Sequence, residues 1–362
     1  MQGKTTTTVV LIFLAALASA DSWPQFRGNS TQTGVATSKL SGELVKTWTY
    51  EANEQVSATA AIDNDTVYIA TKGSGLLALE LKTGKLKWRS STKSSINSSP
   101  LVHENRVYVG DSEGKLRAID ASNGKELWVH KTDQEIISSP NFCDGKVVFG
   151  SYDGSVCCLD AKGGLLWKVD TGSPVHASPA IDGKRVIFAG CDGTLRFVNI
   201  DTGEQEQSVL LDPKIAASPA VRGGRVYVVT LTGTHLCVDI GKKEVAWKYH
   251  NPTEDESCYA SPAVDGNGVV FASRSGPVRY VDLDKWSVKW QFASSGDSSP
   301  VISGDYVYIG SDEGVLSAVS LKDGRKVWEF KAGDSFKASP AVAQGRLVIS
   351  TASGTVYCFK SK

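Results

Sequence analysis

From residue 44 onward the chain runs in short apolar stretches of four to six residues, partly alternating with polar ones and cut by clusters of turn formers. Residues 98 to 128 show the unit most clearly. The pattern predicts strands over Ser98–Val102, Arg106–Gly110, Lys115–Asp120 and Lys125–Val129, each rich in Val, Ile, Leu or Tyr. Glu104-Asn105, Ser112-Glu113-Gly114 and Ser122-Asn123-Gly124 supply the turns between them. Consecutive short strands joined by tight turns make an antiparallel meander of four.

The unit recurs. Its leading prolines stand at Pro100, Pro140, Pro179, Pro219, Pro262, Pro300 and Pro340, with Ala60 in the same place ahead of them, in steps of 40, 40, 39, 40, 43, 38 and 40. Its closing tryptophans stand at Trp48, Trp88, Trp128, Trp167, Trp247, Trp290 and Trp328, and Gln207 fills the one vacancy in that column. Both columns count eight, and a fixed period of this size with four strands per repeat predicts an all-β, eight-bladed propeller of four-stranded antiparallel blades. Small Ser, Ala and Gly residues at the start of each unit suit strands that converge on an axis. A proline facing a central channel loses no ladder bond. Tryptophan on the outermost strand is expected to fill the wedge that opens between diverging blades. The chain ends on a third strand, Gly354–Lys360, whereas an unpaired strand, Leu44–Thr49, precedes the first unit. That N-terminal strand is expected to complete the last blade, removing two sheet edges at once. The propeller then occupies residues 44–362 as one domain, with a leader over 21–43.

Composition adjusts this picture only at its edges. Lys+Arg 39 against Asp+Glu 39 gives zero formal charge, without a basic block, so nucleic acid is not an expected partner. Residues 1–20 carry Lys4, an apolar run from Val9 to Ala18 and the small-residue site Ala18-Ser19-Ala20, which reads as a secretory signal peptide. A membrane anchor is the alternative, but the run is short for spanning a bilayer. Asp21, not cysteine, follows the cleavage site, so no lipid attachment is expected. The reading is an exported, periplasmic or extracellular monomer without a membrane span after signal removal. Asn29, Asn64 and Asn97 begin glycosylation sequons, relevant only in a eukaryotic source.

Candidate chemistry is sparse. Of the seven cysteines, Cys158 falls in a third-strand column with Ala78, Ala118, Phe197, Cys237, Tyr280, Ala318 and Cys358, where cysteine acts as a small apolar residue. Cys157 points to the other face, in a column with Arg117, Arg196 and Arg279. Buried thiols are therefore expected instead of a vicinal disulfide; Cys143, Cys191 and Cys258 fall in predicted turns. Acidic turns such as Asp111-Ser112-Glu113-Gly114 and Ser311-Asp312-Glu313-Gly314 read as hairpin chemistry, since none gathers the oxygens calcium requires. The five histidines, His103, His130, His176, His235 and His250, share no spacing that points to zinc or a triad.

The stretch Asp120-Ala121-Ser122-Asn123-Gly124-Lys125-Glu126-Leu127-Trp128 resembles the tryptophan-docking motif of the quinoprotein dehydrogenase-like propellers. The leader Trp23-Pro24-Gln25-Phe26-Arg27-Gly28 is similar to the segment ahead of the first blade in exported proteins with pyrroloquinoline quinone (PQQ)-like repeats. One branch of that group implies a PQQ-dependent dehydrogenase with calcium, but its members are longer and build the pocket from insertions that these short connections lack. The other branch, BamB-like, implies a non-catalytic scaffold of the outer-membrane barrel-insertion machinery. This chain departs from it in lacking the lipid-anchoring cysteine.

Fourth-to-first and second-to-third connections emerge at one end of a propeller, and here they differ most between units, as recognition surfaces do. Three residues ahead of the prolines stand Asn97, Ile137, His176, Ala216, Tyr259, Asp297 and Lys337, expected as a mixed ring around the channel mouth. The longest connection, 251–259, carries Glu254, Asp255, Glu256 and Tyr259, and Arg274 lies in a neighbouring turn. A solvated acidic loop is the plain reading of that segment; an aromatic beside paired charges makes it a contact site. The expected function is a non-catalytic scaffold binding a protein, peptide or glycan through Tyr259, Arg274, His176, Asp297, Lys337 and Asn97. No catalytic, cofactor or metal residue is expected. The alternatives are the PQQ-dependent oxidoreductase and a polysaccharide-active accessory module.

Overall fold

A computed structural model describes residues 21–362 apart from 74, 212–213 and 253–255. The signal-peptide reading of residues 1–20 and the acidic pair Glu254 and Asp255 lie outside the described residues. Among the described residues, thirty-two strands, numbered in chain order, form eight four-stranded antiparallel sheets, and there is no helix. The second blade, β6 (Leu101–His103), β7 (Arg106–Gly110), β8 (Lys115–Asp120) and β9 (Glu126–Lys131), lies where the sequence pattern placed it. The first strand, however, begins only after Pro100, so proline sits ahead of the ladder and costs it no bond.

Closure follows the expected route. β1 (Leu44–Glu51) pairs antiparallel with β32 (Thr355–Ser361), from Leu44 opposite Ser361 to Glu51 opposite Thr355, with a bulge at Thr47. The eighth blade is thus built from both ends of the chain. Core residues of this blade cluster with those of its two neighbours, joining Trp48, Phe359 and Leu347 to Ile69 and Tyr308.

The repeated glycine and tryptophan belong to one interaction across neighbouring blades. Trp88 on the first blade donates its indole N–H to the Ala121 carbonyl of the second (2.9 Å), and its ring lies on Gly124, where a Cβ would come within 2.6 Å. Gly124 also sits at φ +76°, a conformation that disfavours side chains. Trp48, Trp128, Trp167 and Trp290 lie in the same way on Gly84, Gly163, Gly203 and Gly324. Within its own blade each tryptophan faces the third-strand column, as in Ala118 opposite Trp128 and Cys158 opposite Trp167. A bulge one residue before the tryptophan recurs, as at Leu127 and Leu166, and re-aims the indole while leaving those leucines about half exposed.

Where the ring lacks its tryptophan it also lacks the glycine. Gln207 stands opposite Phe197 and reaches the Ile240 carbonyl at 3.5 Å, and the seat in the next blade is Lys243 at φ +62°. Restoring tryptophan alone therefore meets a side chain in its seat. We expect Gln207→Trp to be neutral or destabilising by itself, and Gln207→Trp with Lys243→Gly to exceed the sum of the single changes by about 1 kcal/mol or more. A urea-unfolding double-mutant cycle measures the difference, and simple additivity would refute the pairing.

Around the axis, the residue before each proline does more than stay small. The amide of Thr59 donates to the Ser99 hydroxyl (3.0 Å), and the relation repeats through Ser139, Ser178, Ser218, Ser261, Ser299 and Ser339 until Ser339 donates back to Thr59 (3.2 Å). The eight bonds form a closed hoop of buried backbone amides satisfied by the next blade. A residue with no hydroxyl would leave one amide unpaired.

Candidate functional site: a blind well on the propeller axis

The two ends of the channel differ. At one end the leader crosses the axis and pairs with the inner strands: the amides of Ile62, Val102, Ile181, Val221, Val264 and Ile302 donate to the carbonyls of Trp23, Pro24, Ser30, Thr31, Thr33 and Gly34 at 2.7–2.9 Å. Side chains reinforce the plug. Gln25 donates to Asn141 (2.7 Å), Gln32 to the Pro179 carbonyl (2.7 Å) and Arg27 to the Pro262 carbonyl (2.9 Å). Trp23, Gln25, Arg27 and Gln32 are all buried. Burial lowers the Arg27 guanidinium to about 9.

The other end stays open. There the second-to-third turn of every blade donates an amide to the preceding connection, from Lys72 to Gln55 through Ala352 to Ser335, at 2.8–3.1 Å. These bonds place the two most variable kinds of connection together, as the repeat geometry implied. Between mouth and plug lies a well of about 450 Å³, with Phe26 at its floor and the hoop hydroxyls on its wall. Asn97, Ile137, His176, Ala216, Tyr259, Asp297 and Lys337 line it, together with Arg274 and Lys72. All six residues singled out from the sequence are thus brought into one concave surface. Lys72, whose position in a variable turn carried no periodic signal, was missed.

The charges at the mouth form a network. Arg274 holds Asp297 through two bonds (2.6 and 2.8 Å) and lies 4.2 Å from the centre of the Tyr259 ring. Lys337 donates to Asp312 (2.8 Å) and lies 3.5 Å from Asp297. The hydrogen bonds that Arg274 donates to Asp297 raise its guanidinium. Burial opposes the charge on Lys337, but Asp312 and Asp297 outweigh it and raise its ammonium. On the opposite wall the Tyr152 hydroxyl lies 2.7 Å from His176 Nδ1, and the His176 ring meets Tyr259 edge-on at 6.2 Å. Burial lowers His176, which favours the neutral imidazole. The result is a rim of paired charges, Arg274 and Lys337 on Asp297 and Asp312, beside an aromatic cluster of Tyr259, His176 and Tyr152.

Elsewhere the acidic turns serve the fold. Asp111 accepts from the amides of Glu113 and Lys115 and from Arg117 Nε at 2.9–3.0 Å, and Asp192 holds Arg196 through two oxygens. Cys157 and Cys158 are free, buried and packed into different clusters on opposite faces of their strand. Burial raises the Cys158 thiol to about 12. Cys143 ends a strand, Asn141–Cys143, instead of lying in a turn, and Cys258 is wholly buried.

Comparison with known proteins places this architecture. The curated Outer membrane protein assembly factor BamB of Yersinia pestis is 23% identical over 216 residues, a stretch that spans 54% of each chain, so the match covers about half the length of that relative. Among solved structures, BamB from Moraxella catarrhalis superposes with a TM-score of 0.77 at 20% identity, covering 88% of this chain and 98% of that one. The quinohemoprotein alcohol dehydrogenase from Comamonas testosteroni superposes with a TM-score of 0.80 at 15% identity, covering 96% and 82%. Likeness at these identities establishes the fold alone. The family described as Outer membrane protein assembly factor BamB, PQQ_2, matches residues 33–142, 133–213 and 284–362, repeats that include six of the eight hoop residues and most of the tryptophan seats, and the chain belongs to that family.

Proposed function

We propose that this protein is an exported, non-catalytic scaffold that binds a protein partner at the open mouth of the axial well, in the assembly of outer-membrane proteins. The observation that carries the reading is the contrast between the two ends of the channel. The leader seals one end with backbone bonds, and the residues that differ from blade to blade converge on the other. A peptide segment entering the well would meet the hoop hydroxyls on the wall and Arg274, Lys337 and Lys72 at the rim. Membership of the BamB family supports a role in assembly, since its members are named for that task.

Similarity of fold to quinohemoprotein alcohol dehydrogenase raises a second reading, a PQQ-dependent oxidoreductase. The donor set does not fit it. Calcium takes six to eight oxygens, whereas Asp297 is the one carboxylate among the described lining residues. Adding PQQ with calcium should leave absorbance and tryptophan fluorescence without a saturable change.

The direct test is a Tyr259→Ala, Arg274→Ala double variant used as bait against the exported fraction. Both side chains lie at the rim, so the melting temperature should stay within about 2 °C of the parent. Partner recovery should fall at least tenfold. Undiminished recovery with an unchanged melting temperature would remove the mouth as the contact surface.

A further inference from the structure

We propose that His235, Glu256 and Cys258 form a binding site for a thiophilic divalent cation of the zinc class, clamped between the fifth and sixth blades. One ligand atom from each lies within 4.8 Å of the others, and all three residues are buried. His235 opens β20 (His235–Asp239), the third strand of the fifth blade, and the other two lie in the long connection to the sixth. Nothing in the residue spacing announces such a set, because its members come from a strand and a loop that only the assembled ring brings together.

The histidine supplies the independent sign. Its side chain is 1% exposed, yet among the described residues neither ring nitrogen has a hydrogen-bond partner. A buried imidazole normally satisfies one donor and one acceptor, and an exception calls for an unseen water or ion. Phe271 stacks on the ring at 4.4 Å, nearly parallel, so one face is covered and coordination falls to the ring edge. Nitrogen, carboxylate and thiol together select zinc-like ions over calcium or magnesium.

The surroundings fix the carboxylate. Arg279, in the third strand of the sixth blade, holds Glu256 at 2.9 and 2.5 Å. The Glu256 side chain is also packed between Gly233 and Gly276, where an added Cβ would come within 2.6 and 2.8 Å of it. A carboxylate oriented by a hydrogen-bonding partner is a common outer-shell arrangement at metal centres. Tetrahedral coordination at about 2.0–2.3 Å would set neighbouring ligands roughly 3.5 Å apart, so side-chain shifts of about 1 Å complete the site. A water takes the fourth position. Cys258 gives up its proton on binding, and its thiolate offsets one of the two positive charges of the cation, the Glu256 carboxylate being shared with Arg279. Because Tyr259 directly follows Cys258, the ion would brace one wall of the well mouth from beneath.

The test uses the purified full chain, stripped by a chelator and titrated with Co²⁺ as a visible substitute for Zn²⁺. We expect one ion per chain, a thiolate-to-cobalt charge-transfer band and the strong visible bands of a tetrahedral site. Zn²⁺ should displace the cobalt and raise the melting temperature by about 3–5 °C at a hundredfold excess over Kd. Cys258→Ser should abolish the charge-transfer band and weaken binding at least a hundredfold, and His235→Gln should weaken it too. Cys143→Ser and Cys191→Ser, at the partly exposed thiols, should change nothing. A parent protein with no stoichiometric band overturns the proposal however the variants fold, and so does a band that survives Cys258→Ser or disappears with Cys191→Ser.

Discussion

Deleting residues 44–50 is expected to abolish cooperative unfolding and to drive the protein into aggregates. The deletion removes all but the last residue of the outer strand of the eighth blade and exposes the edge of β32 along a register that now runs from Leu44 to Glu51. It also takes away Trp48, whose indole N–H bonds the Leu81 carbonyl of the first blade at 2.8 Å and whose ring rests on Gly84. Two blades thus lose contact at one stroke. Scanning calorimetry with size-exclusion chromatography measures the outcome. A truncated chain that stays monomeric and melts as the full one does would show that the ring closes without this strand.

A large effect is expected from a single substitution at Trp167. Its ring is 8% exposed, packs into the cluster of Val186 and Ile200, bonds the Ile200 carbonyl at 2.8 Å and covers Gly203. Trp167→Ala should destabilise by about 3–5 kcal/mol, the range for large-to-small aromatic changes in a core. That is a large share of the roughly 5–15 kcal/mol of a whole domain. Leu166→Ala, at the half-exposed bulge next door, should cost under about 0.5 kcal/mol. The midpoint of urea unfolding separates the two, and equal losses would contradict the docking geometry. Trp128 and Trp328 are only partly buried, so their removal should cost less.

The blade count, the four-strand unit and the closure by Leu44–Glu51 were legible because each rests on residues that recur at fixed distances: the prolines, the tryptophans and the turn glycines. The mouth was legible for a related reason. Asn97, His176, Tyr259, Asp297 and Lys337 occupy one repeat position, so their convergence follows from the symmetry of the ring. Interactions between blades were hidden. The serine before each proline reads as a small residue until its hydroxyl is seen to accept an amide from the neighbouring unit. Gln207 reads as a lost tryptophan until Lys243 is seen in the seat. Residues 21–43 have no repeat to be aligned with, so nothing in the sequence connected Gln25 with Asn141 or Ser30 with Ile181. His235 and Cys258 were invisible together because a strand and a connection from different parts of the chain meet only in the assembled ring.

The sealing of the channel by the leader also sets a schedule. Residues 23–34 bond to strands of the first, second, fourth, fifth, sixth and seventh blades, and Leu44–Glu51 bonds to the eighth. The leader is made before the blades it bonds to and is therefore among the last segments to find all its partners. Until then the early residues must wait unpaired while the blades form behind them. A chain interrupted before its final strand could neither shut its ring nor keep its leader, and so would remain open to proteolysis. Completion of the eighth blade and burial of the leader are one event.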